Sequence, residues 1–182
     1  MNAGTVFKLN PDGTGFSLLH SFSYSDTTDG TNPYGSLVGT GTTLYGETIN
    51  GGGASLSGAL FKIATDGTGF TLLHSFAGGA ADGRKPQGTP VLSGTTLYGT
   101  TGMGGSSGAG TVFKIATDGT GFALLHSFAG GATDGANLDG SLIASGSTFY
   151  GMSSAAGSAA NGGTVFKLTI ACGADEHVAT NV

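Results

Sequence analysis

Short apolar runs rich in Val, Ile, Leu, Phe, Thr and Tyr alternate along the whole chain with clusters of Gly, Asp, Asn and Ser. In the run FSLLHSF, Phe16 and Leu18 fall on one face of an extended strand while Leu19 falls on the other. Apolar side chains on both faces are typical of a strand packed between two neighbouring layers. No segment carries an apolar stripe at helical spacing, and the 37 glycines would weaken any helix. The pattern therefore predicts an all-β fold.

The same runs return with a period of about fifty residues. GTVFKL at 4–9 recurs as GALFKI at 58–63, GTVFKI at 110–115 and GTVFKL at 163–168. The longer motif DGTGFxLLHSF occurs three times, and TTLYG occurs twice with a third, weaker copy STFYG. We divide the chain into a three-repeat module, 1–170, with repeats at approximately 4–57, 58–109 and 110–168, and a non-repeat tail at 171–182.

Each period contains four strand-like runs separated by turn residues. One copy, with its strands lettered A to D, spans 35–39, 42–47, 59–63 and 70–76. Four strands in a period of this length are typical of a propeller blade. The sequence therefore predicts a β-propeller-like array of four-stranded antiparallel blades.

Closure of the array is left open by the order of the strands. The chain begins with strands C and D, continues through two complete blades, and ends with A, B and a surplus C at 164–168. Pairing its two ends would give three blades, below the usual minimum of four. Either the chain is a piece of a longer array, or two copies exchange strands and close a six-bladed homodimer.

The net charge and the length of the apolar runs argue against nucleic-acid binding and against a membrane span. The formal net charge is -5, and Arg84 and Lys85 form the only adjacent basic pair, so we expect no nucleic-acid partner. The apolar runs are strand-sized, and we expect no membrane span. Residues 1–9 lack the features of a signal peptide, so the protein is either cytosolic or has lost such a peptide. We favour loss, and therefore an extracellular or cell-surface location.

The connections from D to A and from B to C are about ten residues or longer, whereas the other turns are tight. In an up-and-down blade both long connections emerge at the same end, where we expect function to concentrate. The polar and charged residues placed there are Asp26, Asp29, Asn32, Tyr34, Glu47, Asp82, Arg84, Lys85, Asp134, Asn137 and Asp139. Those predicted to bind a ligand are Tyr34, Glu47, Asp82, Arg84, Asp134, Asn137 and Asp139.

Several polar residues recur in register, and for these we favour structural roles. Asp12, Asp66 and Asp118 precede Gly and are predicted to shape turns. The repeated histidines His20, His74 and His126 could converge on a metal, but packing or hydrogen bonding is the favoured role. The repeated tyrosines Tyr45, Tyr98 and Tyr150 could line a sugar platform, but blade packing is favoured.

Glu47 departs from the repeat symmetry, because Thr100 and Met152 take its place in the other copies. A glycosidase needs two carboxylates about 5 to 10 Å apart. Glu47 with Asp26 or Asp29 is the candidate catalytic pair, which makes a polysaccharide-acting hydrolase or lyase the alternative function. We predict no cofactor and no metal. Calcium is the remaining option, because Asp26, Asp29 and Asn32 offer hard oxygen ligands at a spacing that differs from an EF-hand.

The combination of LYGTT, a Gly/Ser loop, GTVFKI, DGTGF and LLHSF resembles the GloVer tandem repeat of bacterial surface and secreted proteins. This resemblance covers nearly all of residues 4–168 and implies export, many tandem copies and often a C-terminal anchoring segment. The tail at 171–182 lacks an anchor pattern. The resemblance carries no catalytic residues.

Repeat symmetry duplicates scaffold residues and supplies no unique set of acid, base and nucleophile. We therefore expect a binding or scaffold module that recognises a carbohydrate or another surface partner through the long connections. Exposed Asp, Asn, Tyr and Ser on glycine-rich loops suit hydroxyl recognition. The alternatives are the polysaccharide-acting enzyme and a purely structural, self-assembling protein.

Overall fold

The computed structural model describes residues 2–25, 28–131, 134–156, 162–170 and 177–181. Every regular element in these ranges is a β-strand, which confirms the all-β prediction. Accordingly, no helix of a length and apolarity suited to crossing a bilayer occurs in the described ranges. The strands in chain order are β1 (Asn2–Lys8), β2 (Ser17–Ser23), β3 (Thr31–Thr40), β4 (Thr43–Asn50), β5 (Ala59–Ala64), β6 (Thr71–Ser75), β7 (Gly83–Pro86), β8 (Val91–Ser93), β9 (Thr96–Gly104), β10 (Thr111–Ala116), β11 (Ala123–Ser127), β12 (Gly135–Ala136), β13 (Ile143–Ser145), β14 (Thr148–Ser153), β15 (Ala155–Ala156), β16 (Thr164–Ile170) and β17 (His177–Asn181).

These strands form antiparallel sheets that follow the order of the chain. Strands β1 and β2 make a two-stranded N-terminal hairpin. Sheet 1 has the order β3-β4-β5-β6. In sheet 2, β7 and β8 both pair with β9, which is followed by β10 and β11. Sheet 3 has the order β13-β14-β16-β17, and the short strands β12 and β15 pair with each other.

Strand A of sheet 2 is split into β7 and β8, whereas its counterpart β3 in sheet 1 is continuous. The segment between the two pieces is QGTP, and it is flanked by the proline that ends β7. Pro86 still pairs with Thr101, and Pro33 occupies the equivalent position of the continuous strand β3, so this proline does not by itself break the ladder. At the place where β7 and β8 separate, β3 has a register shift in its pairing with β4.

Sheet 3 corrects the strand count made from the sequence. The segment counted as a surplus C strand is β16, which pairs with β14 along six residues. Strand β17 lies within 171–182, which the sequence assigned to a non-repeat tail, and pairs with β16 at the position of strand D. Sheet 3 therefore takes its strands C and D from its own chain, whereas the N-terminal hairpin has two described strands, β1 and β2.

Among the described residues, the hydrophobic core consists of three clusters, each lying between consecutive units of the array. We call the side of a sheet or hairpin that points toward the preceding unit its front face, and the opposite side its rear face. Each cluster joins a rear-face phenylalanine to the front-face phenylalanine of the next unit. These ring pairs, with their centroid separations, are Phe22–Phe61 (5.5 Å), Phe76–Phe113 (5.2 Å) and Phe128–Phe166 (4.9 Å). The hairpin and the sheets thus pack face to face in sequence order.

The C-to-D turns are built as the sequence predicted. Asp66 Oδ1 accepts hydrogen bonds from the Thr68 amide at 2.9 Å and from the Thr68 hydroxyl at 2.7 Å. Asp12 and Asp118 make the same two bonds. The threonine hydroxyl bond is the main cause that lowers the pKa of each of these exposed carboxyls. The turn role of the three aspartates is confirmed.

Candidate functional site

The long connections meet at one end of the molecule. The Gly105 amide in the B-to-C connection of sheet 2 donates to the carbonyls of Gly79 and Asp82, both at 2.9 Å. The Asn137 amide donates in the same way to the Ala109 carbonyl at 2.9 Å. These bonds join D-to-A connections to B-to-C connections, which confirms that the two kinds emerge together.

A histidine–aspartate pair anchors each D-to-A connection. The imidazole Nε2 of His20 lies 2.9 Å from Asp29, that of His74 lies 3.1 Å from Asp82, and that of His126 lies 3.4 Å from Asp134. The first two rings also stack on a phenylalanine of the next sheet: His20 on Phe70 at 3.9 Å and His74 on Phe122 at 3.8 Å. The repeated histidines therefore pack and hydrogen-bond, as favoured from the sequence.

The aspartates of these pairs are largely used inside the protein. Asp82 accepts hydrogen bonds from the backbone amides of Ala77 at 2.8 Å and Gly83 at 2.7 Å. Asp134 accepts from the equivalent amides of Ala129 and Gly135. Both were predicted to bind a ligand, but their oxygens already fix the backbone of the connection.

Four uncharged polar residues of the first repeat meet in a groove at this end, which we call the tyrosine groove: Tyr24, Asn32, Tyr34 and Asn50. Both tyrosines are 52% exposed. The Asn32 amide group donates to the Tyr24 hydroxyl at 3.0 Å, and the Asn50 amide group donates to Asn32 Oδ1 at 3.3 Å. The groove has a volume of about 540 Å³. The same asparagines and Tyr24 also line an adjoining hollow of about 310 Å³.

The strands bring these side chains together. Asn32 and Tyr34 lie at the start of β3, and Asn50 ends β4, directly opposite Thr31 in the antiparallel register. Asn32 has a φ of 57°, in the left-handed region that asparagine tolerates better than most residues. Tyr24 follows β2, in the D-to-A connection.

The tyrosine groove belongs to the first repeat alone. Gln87 and Asp139 stand at the position of Tyr34, and Met103 and Ala155 at that of Asn50. The connection that holds Tyr24 reads SYSDTT, whereas the other repeats have AGGAA and AGGAT. The sequence singled out Tyr34 and Asn32 but missed Tyr24 and Asn50. Comparing every position between repeats, as was done for Glu47, would have found them.

Glu47 does not lie on the surface with these residues. It is 1% exposed, and neither carboxylate oxygen has a hydrogen-bond partner among the described residues. Its side chain reaches sheet 2, where a Cβ added to Gly99 would lie 2.8 Å from Glu47 Oε1. Burial raises the pKa of the Glu47 carboxyl well above its ordinary value, and the nearby Gly88 amide offsets this only in part. Burial of the Glu47 side chain therefore favours its neutral, protonated form.

The candidate catalytic partners of Glu47 are elsewhere. Asp26 lies outside the described residues. Asp29 is held by His20, and no described contact joins it to Glu47. Within the described ranges, no three His, Cys, Asp or Glu side chains are grouped as a metal site would require. The catalytic roles of Glu47, Asp26 and Asp29 stay predictions.

The other predicted ligand-binding residues lie on sheets 2 and 3. Arg84 is exposed on β7. Asp139 accepts a hydrogen bond from the Ser154 hydroxyl at 2.7 Å and lines a separate hollow of about 290 Å³. The Asn137 carbonyl accepts from the Ser154 amide at 2.9 Å. This hollow and the tyrosine groove have no lining residue in common.

Repeated tyrosines of strand B differ in their surroundings. Tyr45 is 4% exposed and belongs to the core between sheets 1 and 2. Tyr98 packs on Phe149 with ring centroids 4.4 Å apart. Both fit the favoured packing role, whereas Tyr150 is 39% exposed.

Comparison with known proteins agrees with this architecture. The sequence profile of the Gloeobacter/Verrucomicrobia repeat matches residues 1–180. A search of curated proteins finds no match. A chain in the crystal structure of a nidogen/laminin complex has a TM-score of 0.62 at 13% identity, covering 98% of this chain and 56% of its own length. TolB from Acinetobacter baumannii has a TM-score of 0.57 at 14% identity, covering 97% of this chain and 37% of its own length.

At such low identity the two solved structures show similarity of fold alone. The chain spans about half the length of the first and little more than a third of the second. Together with the sheet order, they establish a β-propeller-like fold.

Proposed function

The chain belongs to the Gloeobacter/Verrucomicrobia repeat family, and we propose that this β-propeller-like scaffold binds a neutral carbohydrate in the tyrosine groove. One observation carries the proposal: two half-exposed tyrosine rings and two asparagine side chains converge in a single groove at the end where the long connections meet. The other two repeats lack this set of residues.

The chemistry of the groove suits a sugar. A tyrosine ring offers an apolar face for the C–H groups of a pyranose and a hydroxyl at its edge. An asparagine side chain both donates and accepts hydrogen bonds, as a sugar hydroxyl does. The volume of about 540 Å³ is that of an ordinary small-ligand site.

The groove favours uncharged ligands. Its lining consists of Ala3, Gly4, Tyr24, Asn32, Pro33, Tyr34, Ile49 and Asn50, none of which is charged. A uronic acid or sulfated sugar would find no cation there to pair with its anion. We therefore expect neutral oligosaccharides to bind better than acidic ones.

The proposal includes an extracellular or cell-surface location on a bacterium. The repeat family and the propeller-like fold are compatible with an extracellular location. A neutral polysaccharide of the cell's surroundings is the kind of ligand that such a scaffold would meet there.

Screening on a glycan array, followed by isothermal titration of the hits, tests the proposal. Tyr34→Ala and Tyr24→Ala are each expected to weaken binding about tenfold or more, because each removes a stacking face worth about 1.4 kcal/mol. Gln87→Ala is the matched control, since Gln87 stands at the position of Tyr34 in the second repeat. It is expected to bind as the wild type does.

Two results would count against this assignment. One is the absence of binding to any neutral glycan on the array. The other is equal affinity in the wild type and in both tyrosine variants, which would place the ligand elsewhere on the surface.

The polysaccharide-acting enzyme gains no support from the described contacts. Glu47 is buried without a partner, and Asp29 is bonded to His20. This alternative remains a prediction from the sequence, and the same array, examined for cleaved glycans, would reveal it.

A further inference from the structure

The front face of the N-terminal hairpin is exposed, although the equivalent face of every later sheet is buried. The exposed side chains of this front end face are Phe7 (54%), Leu9 (50%), Phe16 (66%) and Leu18 (51%). Phe61, Phe113 and Phe166, which stand at the position of Phe7, are at most 1% exposed. The hairpin therefore carries a packing surface without its neighbour.

The hairpin holds this face in the same geometry as the buried copies. The rings of Phe7 and Phe16 have centroids 5.6 Å apart and planes at 33°. The equivalent pairs are Phe61–Phe70, at 5.3 Å and 31°, and Phe113–Phe122, at 5.7 Å and 33°. The front end face is thus preformed for a rear face to pack against it.

The rear face of sheet 3 is exposed in the same way. The side chains of this rear end face are Ile143 (71%), Tyr150 (39%), Met152 (64%) and Val165 (49%). Val6, Leu60 and Val112, which stand at the position of Val165, are at most 4% exposed. Their burial comes from the front face of the unit that follows each of them.

Within the chain, each of the three core clusters joins a rear face to a front face. Of the two end faces, one is a front face and the other is a rear face. They can therefore pack on each other as the faces inside the chain do. Apolar patches of this sort on a soluble protein mark sites of association.

We propose that a second copy of this chain covers both end faces in a closed head-to-tail dimer. The rear end face of each copy packs on the front end face of the other, which continues the interface between sheets from one copy to the next. Each copy supplies a hairpin and three sheets, so two copies make a ring of eight layers. Propellers have about four to eight blades, so a third copy would exceed that range.

Light scattering over a range of concentrations tests the proposal. The wild type is expected to have twice the 17.7 kDa mass of the chain. Phe16→Asp and Val165→Asp each place a charge on one end face and are expected to weaken association at least tenfold. Met103→Asp is the matched control, because Met103 is 39% exposed on β9 and belongs to neither end face. It is expected to stay dimeric.

Mixing the two variants distinguishes this arrangement from other dimers. Phe16→Asp keeps an intact rear end face and Val165→Asp an intact front end face, so together they are expected to form an open one-to-one pair. All three positions changed here are exposed, and circular dichroism checks that each variant keeps its strands.

The proposal is overturned by a wild type that stays monomeric or whose mass grows without limit as concentration rises. A dimer that is insensitive to Val165→Asp would also overturn it, because it would join two front end faces.

Discussion

Glu47 is the residue at which local chemistry departs furthest from the repeat. At the equivalent position, the Thr100 hydroxyl donates a hydrogen bond to the Gly140 carbonyl at 2.8 Å. Glu47 brings a carboxyl to the equivalent interface, between sheets 1 and 2, where an ionised group without a partner is costly. Burial therefore favours the protonated form, and this cost is the main cause that raises the pKa of the Glu47 carboxyl.

The pH dependence of stability should show this group. The folded-state pKa of Glu47 is raised above its unfolded value of about 4.3, so the folded state holds a proton that the unfolded state releases. Its stabilising contribution is complete below about pH 4 and is lost as the pH rises to the folded pKa, by up to about 1.4 kcal/mol per pH unit. Urea unfolding between pH 4 and 8 measures this loss.

Glu47→Gln is expected to remove that fall, because an amide of the same shape does not titrate. Asp118→Asn serves as the control, since the pKa of Asp118 is lowered and its contribution is lost only as the pH falls. A Glu47→Gln variant with the wild-type slope would show that another group is responsible.

The sequence identified Glu47 as an exception but placed it on the surface. Its burial depends on how sheet 2 packs against β4. The alternation of apolar and polar residues along one strand does not reveal which side chains another sheet will cover. Tyr24 was missed for a related reason: a residue in a long connection has no periodicity from which its neighbours can be inferred.

Among the elements, the junction between strand D and the next strand A carries the most specific contacts. One aspartate joins a histidine of the preceding strand to the backbone of the connection, eight or nine residues further along the chain. The histidine then stacks on the following sheet in the first two junctions. The junction thereby sets how one sheet follows another.

Removing the aspartate should destabilise this junction. Asp82→Ala leaves the Ala77 and Gly83 amides and the His74 ring without their acceptor, and we expect a loss of about 2–3 kcal/mol in the free energy of unfolding. Asp66→Ala, in an exposed turn, is expected to cost less than Asp82→Ala, because the backbone amide that it leaves unpaired can bond to water. Urea denaturation measures both, and equal losses would contradict a special role for the junction.

The strands of sheet 1 could be predicted because apolar runs and turn residues mark them. The sequence placed strand B at 42–47 and the structure has β4 at Thr43–Asn50. Strand β17 could not be predicted, since its sequence, HVATN, lacks the LLHSF motif of strand D. The backbone of β17 nevertheless pairs with β16 and so supplies hydrogen-bond partners to that strand, as strand D does in the other sheets.

In the whole molecule, the repeat builds a scaffold, and departures from the repeat supply its individual features. The phenylalanine in GTVFK is buried in sheet 2 at Phe113 and exposed in the hairpin at Phe7. Sequence identity between these copies predicts the shared strand and face, but only the position in the array decides which copy has a neighbour. The tyrosine groove is likewise confined to one repeat.

At the scale of the whole molecule, we propose both glycan binding and dimerisation. Neutral-glycan binding depends on a groove within the first repeat, whereas dimerisation depends on faces at opposite ends of the array. Variants of Tyr34 and of Val165 are therefore expected to act independently: the first weakens glycan binding without changing mass, and the second changes mass.

A crystal structure of the chain would show directly whether consecutive sheets pack face to face and gather their long connections at one end. We expect His74 to stack on Phe122 across sheets 1 and 2, and the Gly105 amide to lie within hydrogen-bonding distance of the Gly79 carbonyl. Substantial helix, or D-to-A and B-to-C connections at opposite ends of the sheets, would contradict this arrangement.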